Sequence, residues 1–493
     1  MYDVIVVGGG NAAFSAAHAA YDAGARRILL LEKGPREWIG GNSYFTAGAM
    51  RTTFSSLDDL RPLFDDFSDE DAARVVIAPY EQADFRADME RVTEGRCDKE
   101  LSAILVEDAA SALGWLREKG FAFRFMPERQ AFEIDGKLHY WGGLYVGTVD
   151  GGEGMIATHL EVAEREGIEV RCDAPVVRLL TGDGGAVTGV VVSGPGGEES
   201  IIARAVVLAC GGFEADPRLR AQYLGPGWDV AKVRGTPYNT GDGITMALDL
   251  GAQPYGHWSG CHSIAWDAGA PPTGNLELTN RYSRQSYPIG IVVNREGKRF
   301  VDEGADLRNY TYAKYGAEIL KQPGAIAFQL FDAVTEPMLR HQDYSAPGMT
   351  RYDADTVEGL AEQMGVPVRT LVETISEYNA AVQPGEFNPA VRDGKGTVGI
   401  TPPKSNWALP LDTPPYVAFP VTCGITFTYG GIRVDAQARV LHQRGTPIPG
   451  LYAAGELVGG LFYYNYPGGS GLTSGTVFGR RAGTAAVKDA QAT

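Results

Sequence analysis

Near the N-terminus the apolar positions form unbroken runs rather than an alternation. Val4 to Val7 leads into Gly8-Gly-Gly10, and Ile28 to Leu31 ends at Glu32. Short continuous apolar runs bounded by turn residues predict strands buried on both faces, as in a parallel sheet. Ala12 to Gly24, between them, reads as a helix, and helical periodicity dominates again from Ala72 to Lys119. Strand patterns return at Val170, at Val187 to Val192 and at Ala205 to Leu208. The last of these runs on to Gly211-Gly212. From near Gln253 to about Thr422 the texture becomes aromatic and loop-rich. This stretch predicts a strand over Tyr287 to Val293 and helices from about Arg308 and over Val366 to Val382. Apolar strands and glycine loops resume from Gly430. A chain of 493 residues exceeds one compact core. The order predicts an α/β domain, residues 1–254 and 428–493, split by an inserted α+β domain over residues 255–427.

The first 32 residues carry a chemical signature. A strand, Gly8-x-Gly10-x-x-Ala13, a helix, a second strand and Glu32 follow one another in the spacing of a dinucleotide-binding βαβ unit. Gly8 permits the tight turn, Gly10 the approach of a pyrophosphate, and Ala13 the close packing of helix on strand. The helix N-terminus favours the diphosphate, and Glu32 can accept from both ribose hydroxyls. Two later signals fit the same ligand. Gly450-Leu-Tyr-Ala-Ala-Gly-Glu456 is a short strand ending at a glycine and an acid. Gly468-Gly-Ser-Gly471 opens a helix whose apolar side includes Leu472, Val477 and Phe478.

Charge and cysteine content narrow the partners. Lys and Arg number 44 against 61 Asp and Glu, a net charge of −17, with no basic stripe, which argues against nucleic acid. The five cysteines are widely spaced without a C-x-x-C pair, so no metal site or disulfide framework is expected. No apolar run approaches the ~20 residues that span a bilayer. With the first strand beginning at residue 2, the expected location is the cytoplasm.

Four runs carry a family likeness: Gly40-Gly-Asn-Ser43, Asn294-Arg-Glu-Gly-Lys-Arg-Phe-Val-Asp-Glu303, Arg308-Asn-Tyr-Thr-Tyr-Ala-Lys-Tyr-Gly316 and Phe462-Tyr-Tyr-Asn-Tyr-Pro-Gly-Gly-Ser-Gly-Leu-Thr-Ser474. Over nearly its whole length the chain resembles the FAD-dependent fumarate reductase/succinate dehydrogenase flavoprotein superfamily, and within it the tricarballylate dehydrogenase group. The resemblance implies a Rossmann-like FAD-binding domain with an inserted capping (substrate) domain. It implies FAD contacts from Gly41, Asn42 and Ser43, from Asp242 in Thr240-Gly-Asp-Gly243, and from Leu472 and Thr473. Asn11, Ala12, Lys33, Val177, Gly211, Gly455, Glu456 and Ser470 complete the expected cofactor set. No histidine lies between His18 and His139, so FAD is expected to be non-covalent.

Such enzymes remove a hydride and a proton from adjacent carbons, or add them. Arg308 matches the arginine that handles the proton. The acid of the relatives' Glu-x-x-Arg relay is missing from Arg281-Tyr-Ser-Arg284, so either Arg284 meets another acid or protons leave elsewhere. His262 falls within about one residue of a carboxylate-binding histidine. A second histidine is replaced around Phe427 or Thr428, and the clamping arginine is replaced by Tyr466. His257, Tyr310 and Tyr312 are further candidates. The leading expectation is desaturation of a tricarballylate-like acid, with Arg308, Tyr466 and His262 at the site. Two alternatives stand beside it: 3-ketosteroid-dehydrogenase-like desaturation of a cyclic ketone with Tyr466 polarising the carbonyl, and an FAD electron-transfer component of a larger assembly. The electron acceptor is open among a quinone, an iron–sulfur protein and oxygen.

Overall fold

The computed structural model describes residues 1–492. Strand β1 (Tyr2–Val7) turns through Gly8 into helix α1 (Asn11–Asp22), which returns to β2 (Ile28–Leu31). β1 and β2 pair in parallel, Val4 with Ile28 through Val7 with Leu31. β3 (Glu169–Arg171) extends the sheet beyond β2, and β4 (Gly197–Leu208) flanks β1 on the other side. Val4, Ile5, Val6, Leu29 and Leu30 are fully buried, as their unbroken apolar runs predict.

A second sheet is built around two long antiparallel strands, β5 (Pro254–Asp267) and β6 (Tyr416–Ile432). It takes in Lys232–Val233, Ile291–Asn294, Ala327–Phe331 and Tyr352–Ala354, so its strands run from residue 232 to 432. β5 is bulged between His257 and Cys261 and again between His262 and Ser263. Bulges re-aim side chains and commonly border functional sites. The region predicted as a strand over Tyr287 to Val293 is a 3-10 turn, Tyr287–Ile289, followed by a strand at Ile291–Asn294. Pro288 lacks the N–H that the start of a ladder requires. The helix predicted from Arg308 begins as a 3-10 turn and becomes α-helical at Tyr312–Leu320.

The chain then returns to the first sheet. β7 (Pro447–Ala453) pairs in parallel with β4, and helix α2 (Ser470–Ala492) lies along α1. Gly475, Gly479 and Gly483, spaced by one turn, make this close. A Cβ on Gly479 would sit 2.6 Å from the Ala12 carbonyl oxygen, and one on Gly483 would sit 2.0 Å from that of Ala16. The parallel order β7-β4-β1-β2-β3 brings three strand ends to one edge, with Val7 beside Leu208 and Leu208 beside Ala453. The loops leaving those ends carry Gly8–Gly10, Gly211–Gly212 and Gly455. Ligands of open α/β sheets bind outside these carboxyl ends.

Candidate active site

A cavity of about 1840 Å³, counting its open mouth, runs from that edge of the first sheet to the underside of the second. Its near end is the βαβ turn. Gly8 has φ +118°, and a Cβ there would lie 2.3 Å from the Ala209 carbonyl, so only glycine lets β1 turn beside β4. Gly8, Gly10, Asn11 and Ala12 line the cavity. Ala13 lies fully buried beneath it, where α1 meets the sheet.

Asn11 also braces the turn. Its Nδ2 donates to the Leu472 carbonyl at 2.9 Å and to Thr476 Oγ1 at 3.1 Å, so α1 and α2 present their N-termini together. Glu32 and Lys33 line the same end. Glu32 accepts from the Gly34 N–H at 2.7 Å, yet burial holds its carboxyl above the ordinary range. Lys33 Nζ is 2.6 Å from Asp242 Oδ2, and Asp242 also faces the cavity.

Further along, Gly41, Asn42 and Ser43 form one wall, and Gly211, Gly455 and Glu456 another. Asn42 ties the walls together. It accepts from the Thr236 N–H at 2.9 Å and donates to Glu214 Oε1 at 2.7 Å and to the Thr426 carbonyl. Leu472 reaches the cavity from the first turn of α2. Ser470 and Thr473 are buried behind it, and the Thr473 hydroxyl bonds the Arg51 carbonyl at 2.8 Å. Val177 does not take its expected place. Its side chain is 45% exposed, and Ala174 and Val176 face the cavity instead. Successive strand residues point to opposite faces, so a reading displaced by one residue selects the outer face.

At the far end Arg308 and Tyr466 line the cavity with Arg129, Gln130, Gln285 and Tyr312. Arg308 donates to Gln285 Oε1, to the Arg129 carbonyl at 2.8 Å and to Gln130 Oε1 at 3.3 Å, and its Cζ lies 5.0 Å from the Trp141 ring centroid. Burial and the neighbouring Arg129 charge bring its guanidinium down to about 10. Arg129 and Arg340 share Asp343, at 3.4 and 3.3 Å. Arg284 pairs with another acid, Asp267, at 2.6 Å, both side chains fully buried and outside the cavity lining.

The Tyr312 and Tyr466 hydroxyls hydrogen-bond to each other. Burial, and then Tyr312, hold the Tyr466 phenol well above its ordinary value, so it stays a neutral donor. His262 is not brought to the cavity. It stacks on Phe427 at 5.3 Å between the edges of Tyr312 and Tyr466, and neither ring nitrogen has a partner. The bulges on each side of residues 261–262 turn it into this ring cluster rather than toward a ligand. His257 packs outside, against Tyr463 and Tyr464, and Tyr310 bonds Asp88 at 2.6 Å.

Arg129, Arg234, Asn280 and Gln285 were not found from sequence. Arg129, Arg234 and the stretch holding Asn280 and Gln285 lie far apart in sequence with no periodic signal, and the fold brings them to one cavity. Glu214, three residues past Gly211, gave as little sign of its bond to Asn42.

Three glycine loops at one sheet edge, an acid at the end of β2 and paired helix N-termini define a dinucleotide-binding flavoprotein of the two-domain kind. The family described as FAD binding domain matches residues 3–472. A protein named a probable fumarate reductase, from Shewanella frigidimarina, is 32% identical over 99% of this chain and 75% of its own length. The 4-oxocyclohexanecarboxylate 2-dehydrogenase of Sinomonas cyclohexanicum is 29% identical over 99% of this chain and 94% of its own. Among solved structures, the open conformation of a flavocytochrome c3 fumarate reductase has a TM-score of 0.74 at 30% identity, covering 99% of this chain and 78% of that one. A 3-ketosteroid delta1-dehydrogenase from Sterolibacterium denitrificans has a TM-score of 0.76 at 24% identity over the full length of both chains, a likeness of fold. The chain belongs to the FAD-dependent fumarate reductase/succinate dehydrogenase flavoprotein superfamily. Its cofactor is FAD, and it is an oxidoreductase acting on CH–CH bonds. No helix among the described residues is long and apolar enough to cross a membrane.

Proposed function

We propose that this enzyme desaturates a saturated carboxylic acid of the tricarballylate type. The observation that carries this reading is the electrostatics of the far end of the cavity. Arg129, Arg234 and Arg308 line it and Arg340 stands behind them, while the carboxylate paired with them among the described residues is Asp343. Arg308 itself donates to neutral oxygens. Buried guanidiniums in excess of their counter-ions favour an anionic ligand.

The cofactor set is Gly8, Gly10, Asn11, Ala12, Ala13, Glu32 and Lys33 at the turn, with Gly41, Asn42, Ser43, Gly211, Asp242, Gly455, Glu456, Ser470, Leu472 and Thr473 beyond. Ala13, Ser470 and Thr473 support the site from beneath. That the FAD is held non-covalently belongs to this proposal, with no histidine between His18 and His139 in the sequence. The division into FAD-binding parts (1–254 and 428–493) and a capping part (255–427) belongs to the same proposal.

When bound, FAD supplies the acceptor for the hydride. Arg308, in its neutral form, takes the proton from the neighbouring carbon, a task made feasible by a guanidinium value near 10 rather than that of free arginine, while the other arginines of the lining favour the acid's carboxylates. Tyr466 donates to the carboxylate oxygen on which charge develops, its hydroxyl oriented by Tyr312. His262 keeps Phe427 and the two tyrosines in place. The electrons leave to a quinone, an iron–sulfur protein or oxygen.

The Tyr312–Tyr466 pair also favours a second reading, desaturation of a cyclic ketone whose carbonyl accepts from Tyr466. Dye reduction by purified enzyme, with saturated di- and tricarboxylic acids set against cyclic ketones, separates the two. Turnover of acids lacking a ketone supports the first, and turnover of ketones lacking a carboxylate supports the second.

A further inference from the structure

We infer that Arg234, held by Asn280 and Thr426, is a second carboxylate anchor and makes the site select acids with at least two carboxylates. This rests on the carboxylic-acid reading above and adds to it a residue and a substrate requirement.

Arg234 follows the short strand Lys232–Val233, and its own N–H bonds the Ile425 carbonyl of β6 at 2.8 Å. That bond fixes the backbone where the second sheet meets the cavity. The next residue, Gly235, packs close against Asn42, where a Cβ would lie 2.0 Å from Asn42 Oδ1. The side chain is 7% exposed and lines the cavity.

A guanidinium has five N–H donors in a fixed fork. Nε and Nη2 go to Asn280 Oδ1, at 2.9 and 2.6 Å, and one hydrogen of Nη1 goes to Thr426 Oγ1 at 3.1 Å. One hydrogen on each Nη is left over. These three bonds lock the plane of the fork, and the Ser283 hydroxyl, at 2.8 Å, fixes the amide that locks it. All the bonded partners are neutral, whereas buried arginines ordinarily meet a carboxylate. In this same chain Arg284 meets Asp267 and Arg299 meets Glu303, both buried.

The remaining charge belongs to the substrate end. The groups that feel or exert its field are Tyr312, Tyr466, Arg129, Asp343 and His262. Arg308 and Arg234 thus reach one cavity from different segments, each held by neutral acceptors. With Arg308 as the proton acceptor, Arg234 and Arg129 are the cations of this lining that suit two carboxylates of one molecule. A single ketone would leave Arg234 buried and uncompensated.

The test uses holoenzyme with Arg234→Gln and Arg234→Lys. Tricarballylate, succinate and butanoate are titrated, following dye reduction and the perturbation of flavin absorbance. For Arg234→Gln the predicted result is a rise of about 10–100-fold in Kd and KM for the two polyacids, the loss of one charged hydrogen-bonding partner. The response to butanoate should move by less than threefold. FAD content and Tm should stay at wild-type values, and Arg234→Lys should recover part of the loss. Two results overturn the inference: unchanged polyacid binding by the FAD-loaded variant, or an equal loss for butanoate. Binding of polyacids by wild type would in each case leave the carboxylic-acid reading standing. If wild type binds no carboxylic acid, that reading fails and the inference falls with it.

Discussion

Glu456, which lines the cavity, feels the charge of Glu214, whose carboxyl is buried beneath it. Burial first, and then each other's charge for Glu456, hold both above the ordinary carboxylate range, so the pair keeps a proton. Glu214 accepts from Asn42 at 2.7 Å and from Asn239 at 2.6 Å, and Glu456 from the Thr428 N–H at 2.8 Å. Glu214→Gln keeps an acceptor and removes the repulsion, so FAD should be retained within about threefold. Glu214→Ala removes the acceptor of the buried Asn239 amide and one of the two acceptors of Asn42, which costs about 1–3 kcal/mol. Tm and the urea concentration that releases flavin should fall for the alanine variant and hold for glutamine.

Arg308 sets a pH profile. Its folded value, lowered to about 10, means that the neutral base becomes more abundant as pH rises toward 10. In the dehydrogenating direction kcat should therefore climb about tenfold per pH unit between pH 7 and 9. Asp343 opposes the lowering, so Asp343→Asn should shift the rising limb to lower pH. Arg308→Gln should cut kcat by about 10²–10⁴-fold with FAD still bound. Wild-type turnover in that variant would remove the proton-transfer role.

His262 should be dispensable for binding. Burial holds its ring well below the ordinary histidine value, and both nitrogens are unpaired. A folded value below the unfolded one, about 6.5, means that protons favour the unfolded chain. The neutral ring is tolerated above pH 6.5, and stability is lost as pH falls below it. His262→Phe should flatten the fall of Tm between pH 6.5 and 5 and leave KM within about threefold. A large rise in KM would return His262 to the substrate.

The α1–α2 contact tolerates no side chain at Gly479. Gly479→Leu must push the helices apart, costing about 1–3 kcal/mol or more. The same movement separates Asn11 from Leu472 and Thr476, so FAD should be released more readily than from wild type. Paired measurements of Tm and FAD dissociation check this.

The cofactor end was legible because its information is local. Gly8, Gly10, Ala13 and Glu32 lie within one βαβ unit, and Gly455-Glu456 follows a single strand. Val177 failed by one residue because strand patterning alone does not decide which of Val176 and Val177 faces inward. The substrate end is assembled over long separations: Arg129, Arg234, Arg308 and Tyr466 stand more than 70 residues apart in sequence. They come from different elements, so no single hydrophobic period marks their meeting. Arg308 and Tyr466 were reached through resemblance. Arg234, outside the quoted runs, was not.

On the proposed function a carboxylic acid is the reductant of this flavoprotein. The most direct measurement is anaerobic bleaching of flavin absorbance on adding tricarballylate, with succinate, a cyclic ketone and a 3-ketosteroid alongside. Bleaching by tricarballylate, and none by the ketones, is the predicted result. Bleaching by a ketone without a carboxylate, with none by any acid, would contradict the claim and make Tyr466 the carbonyl polariser.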